Sequence, residues 1–278
     1  MQFSIITPSF RNSEWLKLCI ASVADQGVEA EHIVQDSCSP DGTQEWLPQD
    51  RRVKAFIEKD QGMYDAINRG FRRARGEILA HLNCDEQYLP GALAAAWDYF
   101  QNHPRVEVAF AHAVVIGPDG DYRCDRRSSV PRKYHSWVSG NLSILTAATF
   151  YRRSLIEGRG LYYNAELRDV GDVVWVLRLI ESKVTMGVLN HFTSAFTETG
   201  KNMNLGANAQ RERAQLFAQA PAWARYGRRF IVGCYRLRRL LAGHYGNHSP
   251  YSYAIYTRTS PHARRTFPVP HPSYRWVR

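Results

Sequence analysis

The sequence predicts an α/β fold, a mainly parallel sheet flanked by helices, followed by a basic helical C-terminal extension. Three observations carry this. Short apolar runs alternate with stretches of helical period, the loops between them are short, and most of the apolar runs end in polar residues. With 278 residues, 44% hydrophobic and 22% charged, the chain has the composition of a globular protein with a sizeable core.

The first run, FSIIT, leads into the turn formers PSFRNS. SEWLKLCIASVADQG then places Leu16, Ile20 and Val23 at helical spacing, with Ser13 as a cap and Gly27 beyond the end. HIVQD reads as a second strand, SCSPDGT as a loop and VKAFIE as a third strand. DQGMYDAINRGFRRARG is a helix with Ile67, Gly70, Phe71 and Ala74 inward, and EILAHL is a fourth strand. PGALAAAWDYFQNHP is a helix with Leu93, Trp97 and Phe100 on one stripe. VEVAFAHAVVIGPDGDY reads as two strands, the second followed by a Gly-Pro-Asp-Gly turn. YYNAELRDVGDVVWVLRLIESK sets Glu166, Asp169 and Asp172 just ahead of an apolar helix.

Several classes are disfavoured. No apolar run approaches the roughly 20 residues of a membrane-spanning helix. MQFSIITPSF lacks the basic flank and long apolar stretch of a signal peptide. The five cysteines are scattered and never spaced as CxxC, which argues for a reducing compartment, cytoplasmic, and against structural zinc.

In parallel sheets ligands bind beyond the carboxyl ends of the strands. Four such ends carry polar groups here: Thr7 to Ser9, Asp36, Glu58 with Asp60, and Asp85 with Glu86. Any one of them could be a loop acid in water. Together they predict an acidic crevice suited to a divalent cation and a phosphorylated ligand, since magnesium and manganese take carboxylate and phosphate oxygens.

FSIITPSFRN, IVQDSCSPDGT, EKDQGMYDAINRGFRRARGEI and LNCDEQYLPGAL, in that order, resemble family-2 inverting glycosyltransferases of the GT-A (Rossmann-like) fold, of the bacterial polysaccharide and lipopolysaccharide type. The resemblance covers residues 1 to 100 and, less tightly, 140 to 200. It implies a hexosyltransferase-type enzyme with a nucleotide-sugar donor, UDP-sugar by family default, and a glycan or lipid-linked acceptor. By position, Thr7, Pro8, Ser9 and Phe10 would wrap the nucleotide base and Asp36 would read it. Asp60, Asp65, Asn68 and Arg69 would line nucleotide and sugar. Asp85 and Glu86 match the family's metal motif, with glutamate where a second aspartate is usual, and would hold Mn2+ or Mg2+. Asp172 matches the catalytic base that opens a helix, with Asp169 the alternative; an acid there could equally be a helix cap.

The expected division is residues 1–219 as a catalytic domain, with a nucleotide-sugar half (1–104) and an acceptor half (105–219), then a basic segment, 220–278. The net charge of +10 sits wholly in that last segment, which holds eleven arginines, no lysine and no acid. On a helical wheel, AWARYGRRFIVGCYRLRRLLAGHY puts Trp223, Tyr226, Phe230, Cys234, Leu237 and Leu241 on one face. Arg225, Arg228, Arg229, Arg236 and Arg239 fall on the other. That pattern fits a helix in an anionic membrane surface, hence a peripheral enzyme, or a helix packed on the domain with solvated arginines. No nucleic-acid motif is present, and no nucleic acid is expected as a partner. The proline-rich end, residues 247–278, is expected to form no core element, although its five tyrosine and tryptophan side chains suggest that it lies against something. Two other function classes stay open: a catalytically silent nucleotide- or glycan-binding relative, and an arginine-tailed nucleic-acid binder.

Overall fold

The computed structural model describes residues 1–140, 142–200, 206–246 and 248–275. The first half runs β1 (Phe3–Ser9), α1 (Ser13–Ala24), β2 (Ala30–Asp36), α2 (Thr43–Trp46), β3 (Lys54–Ile57), α3 (Met63–Arg73), β4 (Ile78–His81), β5 (Gln87–Tyr88) and α4 (Ala92–Asn102). It continues through β6 (Val108–Ile116), β7 (Tyr122–Arg126), α5 (Lys133–Ser139), β8 (Thr149–Arg152), α6 (Ser154–Glu157), α7 (Gly171–Glu181), β9 (Met186–Thr197) and α8 (Ala207–Ala218). The C-terminal segment contributes α9 (Ala222–Tyr226), α10 (Arg228–Leu241), β10 (Tyr251–Thr257) and β11 (Ser260–Val269).

One sheet has the order β3-β2-β1-β4-β8-β6-β9-β5, with β7 beside β6. Strands β1 to β4 are parallel, as the alternation of strands and helices requires. Beyond them the sheet is mixed: β8 runs antiparallel to β4 and β6, and β6 and β9 are again parallel. Alternate side chains feed two cores. Phe3, Ile5, Ile78, Ala80 and Ala109 pack with Cys19 and Val23 of α1 and Leu93, Ala96 and Phe100 of α4. Ile6, Leu79, Val108 and Phe110 pack on the opposite face with Ile67 and Phe71 of α3 and Trp175 and Leu179 of α7.

Three expectations change. The run VEVAFAHAVVI is not two strands but the single strand β6, buried along its whole length, because both its faces are covered and no turn former interrupts it before Gly117. The basic helix breaks at Gly227 into α9 and α10. The proline-rich end does contain core structure: β10 and β11 form an antiparallel hairpin that buries Tyr253, Ile255 and Val269 against Leu89, Val114, Ile116 and Ala195. A two-stranded ribbon is all edge, so Pro261 and Pro268 can sit where no ladder N–H is needed. Arg264 ties the hairpin to α1 by two hydrogen bonds of 2.6 Å to Asp25 and donates to the carbonyls of Tyr88 and Ala254 at 2.9 Å. Of the proline-rich end's five tyrosine and tryptophan residues, Trp276 lies outside the described residues, whereas Tyr251 stacks on Phe192 with centroids 5.2 Å apart.

Candidate active site

A cleft of about 1700 Å³ opens at the carboxyl ends of the parallel strands. The turn after β4 delivers the acid pair into it. Asn83 N donates to Glu86 Oε2 at 2.9 Å, and Glu86 N donates to the Asn83 carbonyl at 3.0 Å. Glu86 is 1% exposed, and its Oε1 has no hydrogen-bond partner among the described residues. Burial raises the pKa of both carboxyl groups, and the charge of Asp85 raises that of Glu86 further. A buried acid with an orphaned oxygen beside a half-buried one, Asp85, is costly alone and favourable around a cation. The donor chemistry therefore fits Mg2+ or Mn2+. Among the described residues no group of three acidic, histidine or cysteine side chains is arranged to hold a metal, so the remaining oxygens would come from a phosphate ligand or water.

Across the cleft, Asp172 sits in the first turn of α7. Its N–H donates to the Tyr64 hydroxyl at 3.1 Å, and its Oδ1 accepts from Val173 N at 2.8 Å. Part of the residue reaches the cleft, yet burial of the carboxyl group pushes its pKa up to about 6. Tyr64 can approach this closely only because residue 171 is glycine: a Cβ there would lie 2.5 Å from the tyrosine ring. Tyr64 stacks on Tyr163, and Tyr163 on Trp175, at 5.2 and 4.9 Å. The segment before α7 is fixed from α8, where Glu212 accepts from the N–H groups of Arg168 and Asp169 at 3.0 Å and of Val170 at 3.1 Å. Asp169 is engaged there too, accepting from the Asn208 amide.

The other residues singled out in the sequence divide into two groups. Pro8, Ser9, Phe10 and Asp60 line the cleft with Asp85, Glu86 and Asp172. Phe10 is largely exposed, with Arg11 and Lys59 over its ring at 4.8 and 5.3 Å. Asp60 Oδ1 accepts from Gly62 N at 2.9 Å, shaping the turn where Gly62 takes a φ of 131° that a side chain would resist. Thr7, Asp36, Asp65, Asn68 and Arg69 do not line it. The Thr7 hydroxyl is 2.8 Å from His32 Nε2, beneath the cleft floor. Both Asp36 oxygens accept from Ser39, at 2.8 Å from its N–H and 2.6 Å from its hydroxyl. Asn68 bridges α3 to the backbone of Tyr163 at 2.9 and 3.0 Å. Arg69 pairs with Asp65 at 2.9 Å and reaches the Lys59 carbonyl at 3.0 Å.

Sequence reasoning passed over Tyr64, although it lies inside the MYDAINRG block. It also treated Arg239 as one of several solvated arginines. In the structure Arg239 is 7% exposed and lines the cleft with Tyr235 and His135. No local signal could have shown this, because its surroundings come from β6, β7 and α5.

The family model for "Glycosyl transferase family 2" matches residues 4–160. The chain belongs to this family. TuaG of Bacillus subtilis, named for teichuronic acid biosynthesis, is 34% identical over 91 residues, which cover 31% of this chain and 36% of TuaG. A glycosyltransferase of Mycobacterium tuberculosis is 26% identical over 84% of this chain and 87% of its own length. Among solved structures, S. aureus TarS residues 1–349 with UDP-GlcNAc superposes with a TM-score of 0.58 at 17% identity, covering 79% of this chain and 67% of that one. The mannosyltransferase PcManGT of Pyrobaculum calidifontis, with GDP-Man and Mn2+, has a TM-score of 0.53 at 17% identity over 77% of this chain and 60% of its own. The chain thus spans little more than a third of TuaG, and the solved structures establish a shared GT-A fold.

Proposed function

We propose that the chain is an inverting glycosyltransferase that moves a sugar from a nucleotide-sugar donor to an acceptor hydroxyl in surface polysaccharide synthesis. The observation that carries this is the placement of an acid pair, half-buried Asp85 and buried Glu86, and a separate half-buried carboxylate, Asp172, on one cleft of a family-2 fold. The donor is held by residues 1–104 and the acceptor by 105–219, with Pro8, Ser9, Phe10 and Asp60 as the cleft-lining nucleotide contacts. UDP is the default nucleotide. It is supported by the UDP-GlcNAc bound to TarS, while the GDP-Man on PcManGT keeps the base choice open to test.

Asp172 takes the proton of the acceptor hydroxyl as that oxygen attacks the anomeric carbon. Tyr64 and Glu212 hold the Asp172 segment, and the engagement of Asp169 with Asn208 favours Asp172 as the base. Asp85 and Glu86 would hold a magnesium or manganese ion, which when bound supplies positive charge against the departing diphosphate. A single displacement inverts the anomeric centre.

The enzyme works at the cytoplasmic face of a membrane in this reading, held by the outer surface of α9 and α10. No helix among the described residues is long and apolar enough to cross a bilayer. Tyr226, Phe230 and Leu241 are 90%, 76% and 80% exposed, beside the exposed Arg225, Arg228, Arg229 and Arg238. That combination suits an anionic lipid surface.

Hydrolysis of a panel of UDP-, GDP- and dTDP-sugars, with and without manganese, tests the reading. Release of one nucleotide that depends on manganese is expected. Binding of nucleotide with no turnover of any donor, even with lipid-linked acceptors present, would favour a silent relative.

A further inference from the structure

The acid pair and Asp172 account for one part of the cleft; the wall that α10 builds has the opposite character. Its inner face carries Ile231, Tyr235 and Arg239 four residues apart, with Arg236 at the cleft edge, so one arginine is turned inward while the apolar stripe faces out. Arg239 Nη1 donates to the Tyr235 hydroxyl at 3.1 Å, and its guanidinium lies 5.8 and 5.5 Å from the ring centroids of Tyr235 and Tyr245. His135 stacks on Tyr235 at 3.6 Å. Among the described residues Arg239 forms no salt bridge.

Among the described residues, the groups that its charge perturbs are an arginine and three histidines. Arg126, His112, His135 and His244 each feel the positive charge of Arg239. Burial first, then the charge of Arg239 and, for His112 and His244, that of Arg127, push His112, His135 and His244 down to about 3, 4 and 4, so near neutral pH they are uncharged and able to donate hydrogen bonds. A buried guanidinium that lies among other arginines and, among the described residues, pairs with no acid is costly unless a mobile anion completes it.

We propose that this wall, centred on Arg239 with Arg126, His135, Tyr235, Arg236 and Tyr245 around it, is a second anion subsite that binds a phosphate group carried by the acceptor. The word acceptor rests on the glycosyltransferase reading; the anion site itself does not. Phosphate is the fitting anion because several arginines converge, and a phosphate monoester or diphosphate brings them more than one negative charge, whereas a sugar carboxylate or a single phosphodiester brings one. The phosphate can belong to a lipid-linked saccharide or to a phosphodiester polymer.

The test is calorimetric titration of the full chain, saturated with UDP and magnesium so that the donor diphosphate position is filled, with inorganic phosphate as the first probe. Wild-type protein is expected to bind it, Arg239→Gln to bind it at least about tenfold more weakly, and Arg239→Lys to recover most of the loss. UDP affinity should stay within about twofold in both variants, which also shows that they fold. Arg236→Gln, at an exposed position, is expected to weaken phosphate by about threefold. Tighter binding of geranyl diphosphate than of glycerophosphoglycerol identifies a lipid-linked source, and the reverse order a polymer. Phosphate binding unchanged in Arg239→Gln, glucuronate binding as tightly as phosphate, or a parallel fall in UDP affinity would overturn the proposal, the last by making Arg239 a clamp on the donor. A chain that binds phosphate through Arg239 but never UDP would keep the site and remove the glycosyltransferase reading.

Discussion

The strands around Asp85 and the helix around Arg239 face one cleft but were shaped by different constraints. In the parallel half, side chains alternate between two cores, so the apolar pattern and the inward direction coincide. In α10 they do not: Phe230, Leu237 and Leu241 point away from the protein while Tyr235 and Arg239 point in. The contrast teaches that amphipathicity identifies a helix's two faces without saying which one the fold will cover. The inner face of α10 was chosen by what α5, β6 and β7 already offered.

The largest effects are expected at the acids. Asp172→Asn is expected to cut turnover by about 10²- to 10⁴-fold while UDP binding stays near normal, and Asp85→Ala to abolish the extra thermal stabilisation that manganese adds to UDP. Full activity in Asp172→Asn with none in Asp169→Asn would transfer the base to the earlier acid. Glu86→Asp should retain activity, since either acid offers oxygen ligands.

Next in size is the hairpin. Ile255→Ala should destabilise the whole chain by about 2 to 5 kcal/mol in denaturant titration, because its side chain is buried with Val114 and Ala195. A stability change under about 0.5 kcal/mol would mean that the hairpin packs as an appendage. This is where the sequence was least legible. The parallel strands, α1, α3, α4 and the opening of α7 could all be read from period and punctuation. Pro261 and Pro268 hid a ribbon whose strands lack the neighbours that make proline intolerable. Asp36 and Asn68 looked like ligand contacts by position, yet their polar atoms are already used within the protein, by Ser39 and by the Tyr163 backbone. Such use depends on contacts that no local pattern reveals.

A smaller effect is expected in the pH profile. Burial places Asp172 at about 6, so turnover should fall roughly tenfold per unit below that pH as the base becomes protonated. The same shift has a sign for stability: a carboxyl whose pKa is raised on folding favours the native state below its unfolded value of 3.8 and forfeits that advantage as pH rises through about 6. Asp172→Asn should therefore raise the melting temperature at neutral pH by about 2 to 4 °C, for roughly 1 kcal/mol relieved. No increase would mean that water reaches the carboxylate freely.

The smallest effect on the fold should come from the outer stripe. Phe230→Ser with Leu241→Ser should shift stability by less than about 0.5 kcal/mol and yet abolish sedimentation with anionic vesicles at low salt. Retained sedimentation would assign that surface to something other than lipid.

The grip of Arg264 on Asp25 also sets a timetable for biosynthesis. Those residues are separated by 239 positions, and between them lies nearly the whole sheet. At roughly 5 to 20 residues per second, a ribosome needs about 10 to 50 s after delivering α1 before it delivers the residue that latches it. Over that interval Leu89, Val114 and Ile116 have no hairpin above them, and the first half of the protein must wait, partly uncovered, for its last strands.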